Sequence, residues 1–211
     1  MRRDEVQSWP LGVLDLQSLR ESEPALLGPV PVTGSRSLNV LVGDEVEHVN
    51  GEMVGADYFD VFGVRPALGR FFNADEERSP EPTAVVLSHE LWQRSFGGSA
   101  DVLGRTLYVN DHGFRIVGVA PPAFLGVSDE AGLWLPIGSA ASIYQPGYID
   151  VREFRWLAGV ARLADAATVE SVTERREATV RSLEREYPRE YEGLHVTVTP
   201  LATALFGDLQ R

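Results

Sequence analysis

The chain has 211 residues, of which 44% are hydrophobic, so it contains enough apolar material for a folded core. Its 31 acidic residues exceed its 19 basic residues and give a formal net charge of -12, which argues against binding to the phosphate backbone of nucleic acids. The absence of cysteine excludes disulfides, thiolate metal sites and cysteine nucleophiles. We therefore expect no nucleic-acid partner.

No stretch of the sequence approaches the roughly 20 apolar residues that are needed to span a bilayer. Residues 1–10 also lack the apolar core of a signal peptide. If the domain works outside the cytoplasm, we expect its export signal or membrane anchors to lie in sequence beyond this chain.

The first predicted elements are a helix and a hairpin. Residues 11–21 predict a short amphipathic helix, because their leucines recur at near-helical spacing. Residues 37–42 and 45–54 alternate apolar and polar side chains on either side of Gly43-Asp44, a two-residue turn that favours a β-hairpin.

The middle of the chain alternates short elements with glycine-rich and proline-rich turns. Residues 58–62 predict a helical turn, and the acidic run at 73–82, which contains two prolines, predicts a solvated loop. A buried strand at 83–87 precedes a helix that Ser88 caps and that ends at the glycines 97–98. Further strands are predicted at residues 106–110, 114–119 and 133–137, with the turn of the second hairpin at residues 111–113.

The C-terminal part predicts a strand at 155–163, a long charged helix at 167–187 that ends at Pro188, and a strand at 194–198. The expected buried positions of this helix are Val169, Val172, Val180, Leu183 and Tyr187. Because helices and strands occur at both ends of the chain, the two ends could pair into one split βαβ lobe, with the middle inserted as a second lobe.

The residues that could carry catalysis do not form a recognisable motif. The histidines lack the i, i+4 spacing of a zinc helix, and Ser88 lacks the flanking glycines of a nucleophile elbow, so a helix cap is the favoured role of Ser88. The histidines are His48, His89, His112 and His195. A hydrolase would need a convergent acid, base or metal site, which the sequence does not assemble.

Two loops and one aromatic cluster have alternative interpretations. Residues 97–99 could bind an anion, but no lysine follows, and a helix stop is favoured. The carboxylates of the acidic run could gather calcium but lack the order of an EF-hand, so a solvated loop is favoured; they are Asp75, Glu76, Glu77 and Glu81. The aromatic residues could line a groove for an apolar substrate or form core, and core is favoured; they are Tyr58, Phe59, Phe62, Phe71 and Phe72. We predict no catalytic, cofactor-binding or metal-binding residues.

Three blocks, in order, resemble the MacB-like periplasmic core domain of ABC-transporter permeases, and particularly its duplicated orphan-permease relatives in soil bacteria. They are residues 54–72, 84–98 and 102–124. The first block has a Tyr-Phe pair followed by Gly-Val and Gly-Arg, and the third ends in Gly-Val-Ala-Pro-Pro-x-Phe. The flanks are also similar, so the resemblance covers nearly the whole chain. The turn at 163–167 departs from it, because relatives usually carry a Lys-Pro-Gly or similar sequence there.

The resemblance implies an α+β fold in two lobes. Residues 1–55 plus 150–211 would form a split βαβ lobe like the one called Porter, and residues 56–149 would form an inserted, β-rich lobe like the one called Sabre. It also implies that this chain is the periplasmic or extracytoplasmic region of a protein of the cell inner membrane. The resemblance does not imply an enzyme.

The resemblance further implies a noncatalytic role, in which the domain couples cytoplasmic ATP hydrolysis to movement of a peptide, lipoprotein or small amphiphile. The implied partners are a cytoplasmic ABC ATPase, a second permease copy, and a periplasmic adaptor or the transported substrate, and no cofactor is implied. The alternative, suggested by the acidic surface and the aromatic clusters, is a free-standing extracytoplasmic ligand-binding or adhesion module.

Overall fold

The computed structural model describes residues 26–144, 155–164, 167–192 and 198–201, together with residues 11, 12, 14, 15, 18 and 203. The strands are β1 (Leu26–Thr33), β2 (Arg36–Val42), β3 (Glu45–Val54), β4 (Leu68–Gly69), β5 (Ala84–Leu87), β6 (Thr106–Val109), β7 (His112–Val119), β8 (Leu133–Pro136) and β9 (Leu157–Leu163). The helices are α1 (Tyr58–Phe62), α2 (Ala74–Arg78), α3 (His89–Phe96), α4 (Ala140–Ile143), α5 (Val169–Glu186) and α6 (Pro188–Tyr191). Short 3₁₀ helices lie at Ala100–Val102 and Ile137–Ser139.

Both predicted hairpins are confirmed. Strands β2 and β3 pair antiparallel around Gly43-Asp44, and Gly43 adopts a positive φ of 62°. In the second hairpin, Val109 pairs with His112, so the turn is Asn110-Asp111 and not residues 111–113. Both turn residues have positive φ (46° and 67°), which asparagine and aspartate tolerate better than most residues and which suits the twist of a tight hairpin.

Six strands close on themselves and form a barrel. Strand β2 pairs with β6, β6 with β7, β7 with β5, β5 with β8, β8 with β3, and β3 with β2. Strands β1 and β9 extend the sheet beyond β3, and β4 pairs with β7. Every strand of the barrel sends apolar side chains into one cluster, which includes Leu38, Val49, Val85, Leu107, Phe114 and Leu133. These side chains are at most 4% exposed, so hydrophobic burial inside the barrel stabilises the fold.

The opposite face of several strands supports a second core, rich in aromatic residues. Val30 and Val32 of β1, Val86 of β5 and Trp134 of β8 belong to it, and helix α1 packs against β1 and β9. In β8 the alternation of a strand sends Leu133 and Leu135 into the barrel and Trp134 to this second core, and all three are completely buried.

Strand β1 has no counterpart among the predicted elements. Its sequence contains Pro29 and Pro31, and prolines in a run usually argue against a strand because they cannot donate a ladder hydrogen bond. The pairing of β1 with β9 changes register between Leu27 and Val30, and this irregularity accommodates Pro29. Pro31 has no amide hydrogen to donate, but its carbonyl oxygen accepts a hydrogen bond from the amide of Gly55 at 3.0 Å.

The predicted helices at 58–62 and 88–96 are confirmed, but the prediction of a loop over 73–82 is wrong in part. Residues Ala74–Arg78 form helix α2, because Asn73 and Glu76 make reciprocal hydrogen bonds between their side chains and backbone amides in a capping box. Acidic residues also favour the first turn of a helix, since its exposed amides carry partial positive charge. The remaining residues of the run, from Ser79, are outside the helix.

The long C-terminal helix is confirmed as α5. Val172 and Val180 are buried as predicted, and Val169, Leu183 and Tyr187 are half-buried. Arg176 is also buried but is not among the predicted buried positions. Pro188 ends α5 but also begins helix α6, where a proline is tolerated because the first amide of a helix has no partner within the helix.

Two predicted elements fall wholly or partly outside the residues that the structure describes. The strand at 194–198 lies outside the described residues except for residue 198, which is not in a strand. Within the predicted N-terminal helix, Leu14, Asp15 and Ser18 are helical, and several other residues of 11–21 lie outside the description.

The proposed lobes share one sheet. Strands β2 and β3 fall within residues 1–55, yet they pair with β6 and β8 of residues 56–149. The α+β fold is therefore organised around a barrel to which both parts of the chain contribute. The boundaries of the lobes stay a prediction.

Candidate functional site

An open groove of about 440 Å³ lies beside the barrel. Residues of β2 and β3 form one wall, helix α3 with its cap Ser88 forms another, and Leu125 and residues 129–132 of the loop before β8 complete it. Three carboxylates line the groove: Glu90, Asp129 and Glu130. Arg94 also lines it and forms ion pairs with Glu90 at 3.4 Å and with Glu47 at 3.1 Å.

A completely buried carboxylate holds the loop that forms this wall. Glu52 of β3 accepts hydrogen bonds from the hydroxyl of Tyr58 at 2.8 Å, the indole nitrogen of Trp134 at 2.9 Å and the amide of Ser128 at 2.7 Å. The Tyr58 oxygen in turn accepts a hydrogen bond from the amide of Val127 at 3.0 Å. In the part of the chain that the structure describes, no basic side chain forms an ion pair with Glu52.

The local backbone explains how these groups meet. In the parallel pairing of β3 with β8, Glu52 lies directly opposite Trp134, and Tyr58 is the first residue of α1. Gly126 approaches the carboxylate so closely that a Cβ atom there would lie 2.3 Å from Oε2 of Glu52, and its φ is 77°. Only glycine fits this approach without displacing the carboxylate.

Burial raises the pKa of Tyr58 far above its usual value, and the charge of Glu52 and their hydrogen bond raise it further. The phenol therefore stays protonated and continues to donate to Glu52. A carboxylate hydrogen-bonded by three donors is a stable arrangement, because each donor replaces a water molecule lost on burial.

The aromatic residues around this carboxylate are core, as predicted. Tyr58 and Phe59 are completely buried, and Phe59 stacks on Phe71 with ring centroids 3.8 Å apart. Phe124 and Trp134 complete the cluster, with their centroids 5.5 Å apart. The prediction omitted these two residues because they lie more than fifty residues further along the chain.

The structure does not bring the histidines together. His48 lines the groove, His89 contacts the ring of Trp92 on α3, and His112 pairs with Val109 in the second hairpin. His195 lies outside the described residues. Among the residues that the structure describes, no group of three or more histidine, aspartate or glutamate side chains could hold a metal ion.

The roles predicted for Ser88 and for the glycine pair are confirmed. The Ser88 hydroxyl accepts a hydrogen bond from the amide of Leu91 at 3.0 Å and caps α3. Gly97 and Gly98 both have positive φ, 62° and 69°, and the amide of Gly98 donates to the carbonyl oxygen of Trp92. These glycines end the helix.

Three of the four carboxylates of the acidic run contact separate partners. Asp75 pairs with Arg78 at 2.7 Å, and Glu77 accepts a hydrogen bond from the amide of Ala56 at 2.9 Å. Glu81 is exposed.

Glu76 forms the strongest contact of the run, a two-pronged pair with Arg70 at 2.7 and 2.9 Å. Burial alone would raise the pKa of Glu76, but the hydrogen bonds from Arg70 and from the Asn73 amide, with the charge of Arg70, hold that pKa below its usual range. The contact also raises the pKa of Arg70.

The family of the chain follows from comparison with known proteins. The family described as the MacB-like periplasmic core domain matches residues 6–179. This chain belongs to that family.

Curated relatives share part of this periplasmic core domain. The macrolide export ATP-binding/permease protein MacB of Salmonella paratyphi A is 32% identical over 104 residues, which are 48% of this chain and 16% of the relative. The protein of the same name in Escherichia coli K12 is 33% identical over 95 residues, 44% of this chain and 14% of the relative. The matched region is thus a small part of the length of these relatives.

Solved structures share the fold of this core domain. The periplasmic region of MacB from Actinobacillus actinomycetemcomitans has a TM-score of 0.63 and 20% identity, covering 90% of this chain and 80% of that structure. The extracellular domain of the noncanonic ABC-type transporter YknZ from Gram-positive bacteria has a TM-score of 0.58 and 13% identity, covering 82% of this chain and 83% of that domain. These similarities confirm the predicted α+β fold.

The glycines of the resembling blocks have a physical role in this core domain. A Cβ atom on Gly69 would lie 2.2 Å from the carbonyl oxygen of Val117, and one on Gly118 would lie 2.1 Å from the carbonyl oxygen of Arg70. Gly69 and Gly118 are directly paired in β4 and β7. The Gly-Arg and Gly-Val-Ala-Pro motifs therefore permit a close backbone approach.

Glu52, which holds the loop beside the groove, is not among the residues that the sequence pattern indicates. The alternation along β3 places Glu52 on the face opposite to Val49 and Met53, which usually means a solvent-facing polar residue. Helix α1 and the loop at 125–132 cover that face, and no pattern in the neighbouring sequence indicates that it is covered.

Among the described residues of the core domain, no helix is both long enough and apolar enough to span a bilayer.

Proposed function

We propose that this chain is the extracytoplasmic domain of an ABC-transporter permease subunit of the inner membrane, with this region in the periplasm. The observation that carries the proposal is the match of the periplasmic core family over residues 6–179. The similarity to macrolide export ATP-binding/permease proteins supports a transport context. In this role the domain is noncatalytic and couples cytoplasmic ATP hydrolysis to movement of a peptide, lipoprotein or small amphiphile.

The contact between the N-terminal segment and the C-terminal helices supports a mechanical role. Asp15 is 2% exposed and accepts hydrogen bonds from the amide of Gly12 and the hydroxyl of Tyr191. Arg155 pairs with Asp15 at 3.5 Å, and its guanidinium lies 5.0 Å from the centre of the Tyr191 ring. If membrane helices precede and follow the domain, this cluster would transmit a displacement of one chain segment to the other.

The proposed partners are a cytoplasmic ABC ATPase, a second permease copy, and a periplasmic adaptor or the transported substrate. We propose that residues 1–55 plus 150–211 form the lobe near the membrane and that residues 56–149 form the distal lobe, with β2 and β3 reaching from the first part into the barrel that both parts share. The cluster of Asp15, Arg155 and Tyr191 then belongs to the membrane-near lobe. The support for this arrangement is the family membership together with the proximity of the two chain segments.

The test uses the full-length permease with its ATPase in proteoliposomes. Replacing Tyr191 with Phe removes one hydroxyl from the cluster, and Asp15→Asn removes its negative charge. We expect basal ATP hydrolysis to persist and transport per ATP to fall in both variants, while Glu170→Gln on the exposed side of α5 changes neither. A full-length gene without membrane helices on both sides of this domain would contradict the proposal.

The second candidate function is a free-standing extracytoplasmic ligand-binding or adhesion module, which the open groove beside Glu90 and Asp129 favours. Calorimetric titration of the isolated chain with cationic amphiphiles and peptides distinguishes the two candidates. Saturable binding that is lost in Asp129→Asn, together with a gene that encodes no neighbouring membrane helix, would support the module.

A further inference from the structure

Three of the four large hydrophobic side chains that are exposed in the described part of the chain are direct neighbours. The four are Leu41, Val46, Leu103 and Tyr108, with exposed fractions of 38%, 63%, 36% and 49%. Leu41 pairs with Val46 across β2 and β3, and the same Leu41 pairs with Tyr108 across β2 and β6. We call Val46, Leu41 and Tyr108 the tip row, because they lie beside the turns of the two hairpins.

The tip row faces outward from the barrel. Directly paired residues of neighbouring strands share one face, so the three side chains point the same way. Val40 and Val109, the adjacent residues of β2 and β6, are completely buried in the barrel. The tip row, with Asn39 and Asp111, lines an open depression of about 390 Å³.

Other residues of the domain cover only part of the tip-row side chains. A Cβ atom on Gly113 would lie 3.5 Å from the Tyr108 ring, so Tyr108 covers the glycine opposite it. About half of Tyr108 and more than half of Val46 nevertheless remain exposed. Scattered exposed apolar residues are ordinary, whereas contiguous ones on a polar surface mark interaction sites.

The backbone around the tip row limits how a partner can bind. Strand β2 is hydrogen-bonded to β3 on one side and to β6 on the other, and β6 is bonded to β2 and β7. A partner therefore cannot extend the sheet by adding a strand beside Leu41 or Tyr108. It must contact the side chains of the row.

The charge around the tip row indicates the chemistry of that partner. Asp44, Glu45 and Asp111 lie in or beside the two turns, are exposed, and form no ion pair with other described residues. The whole chain has a net charge of -12. Two copies docked through this row would bring these carboxylates together, whereas a basic partner would neutralise them.

We propose that the tip row is a docking surface for a partner protein whose apolar side chains are flanked by lysine or arginine. The apolar side chains would contact Leu41, Val46 and Tyr108, and the basic residues would lie against Asp44, Glu45 and Asp111. This surface is separate from the groove, and the inference does not depend on the proposed transport function.

The test uses two synthetic amphipathic peptides as probes, with the same leucine face flanked by lysine in one and by glutamate in the other. Each is titrated into the isotope-labelled chain, and amide chemical shifts are recorded. We expect the lysine peptide to shift the amides of the tip row and its two turns, with an affinity that falls as salt increases. We expect no shifts with the glutamate peptide.

Matched variants locate the binding. We expect Val46→Thr, which keeps a β-branched side chain, and Tyr108→Ser each to weaken binding of the lysine peptide about tenfold. Leu103→Ser, an exposed apolar residue elsewhere, serves as the control and should change nothing. Asp44→Asn with Asp111→Asn should reduce the salt dependence.

Three outcomes would overturn the proposal: shifts confined to the groove around Glu90 and Asp129, equal binding by Val46→Thr and the unchanged chain, or a dimer in light scattering that Val46→Thr dissociates. Thermal unfolding verifies that each variant is folded. Because Val46 is largely exposed and threonine suits a strand, Val46→Thr keeps the test decisive even if Tyr108→Ser is destabilised.

Discussion

The two cores of this domain share several strands but differ in their chemistry. Inside the barrel, the buried side chains that the strands contribute are apolar, as Phe114 of β7 and Leu133 of β8 illustrate. On the opposite face, the aromatic core around Trp134 encloses the carboxylate of Glu52 and its three donors. One core has no directional contacts, and the other holds a particular loop through directional hydrogen bonds.

The barrel interior therefore mainly determines the stability of the domain, whereas the hydrogen bonds of Glu52 determine the position of the loop at 125–132. Hydrophobic burial is roughly proportional to area and does not depend on direction, so the barrel interior should tolerate apolar exchanges of similar volume. A buried carboxylate with fixed donors tolerates no such exchange, because every unsatisfied donor costs free energy. Changes at Glu52 should therefore move the loop at 125–132, whereas changes at Phe114 should lower stability without moving that loop.

The largest expected effect is in the barrel. Replacing the completely buried Phe114 with Ala should lower the free energy of unfolding by about 3–5 kcal/mol, because it removes apolar contacts and leaves a cavity. Urea denaturation measures this loss. Phe114→Leu, the control, keeps most of the volume and should cost much less. If Phe114→Ala costs no more than Phe114→Leu, packing of the barrel interior does not determine stability.

The second effect concerns the buried carboxylate. Glu52→Gln keeps the shape but places an amide group against at least one of the three donors, so we expect a cost of about 1–3 kcal/mol. Hydrogen exchange at the amides of Val127 and Ser128 should accelerate, since Glu52 and Tyr58 hold them. Glu45→Gln, at the exposed start of β3, serves as the control. Unchanged protection of both amides would refute the positioning role.

Much of the barrel could be predicted from the sequence, because its evidence is local. The alternation along β2 and β3, the valine-rich run of β5, and the cap at Ser88 each depend on residues close in the chain. Strand β1 could not be predicted, because Pro29 and Pro31 argue against a strand and pairing with β3 and β9 overrides them.

The site was less predictable, for a related reason. Glu52 looks like a solvent-facing residue of β3 until Trp134, more than eighty residues later, is known to pair opposite it. The glycine and proline residues between the aromatic residues of the first block indicate tight packing, which predicts most of these aromatic residues to be core. Phe124, which contacts Tyr58, Phe59 and Phe62, could be added only once the fold was known.

The third effect separates backbone strain from contact with the carboxylate. Gly126 and Gly104 both have positive φ, 77° and 81°, but a Cβ atom on Gly126 would lie 2.3 Å from Glu52, whereas one on Gly104 would have no neighbour within 4 Å. Both alanine variants carry a similar strain of about 1–2 kcal/mol. We expect Gly126→Ala to lose more stability than Gly104→Ala in urea denaturation. Equal losses of unfolding free energy in the two variants would mean that the Glu52 carboxylate can move away from the added methyl group at no cost.

The smallest effect lies at the surface, where Arg70 and Glu76 make directional contacts without full burial. Because the pKa of Glu76 is lower in the folded chain than in the unfolded chain, its contribution to stability is complete above the unfolded pKa and is lost as the pH falls through the folded one. A double-mutant cycle with Arg70→Met and Glu76→Gln should give a coupling of about 0.2–1 kcal/mol at neutral pH. Glutamine can still accept from the Asn73 amide, so the cycle isolates the ion pair from the helix cap. The coupling should fade in acid below the usual range of glutamate pKa values, and a coupling that persists there would show that charge does not hold this contact.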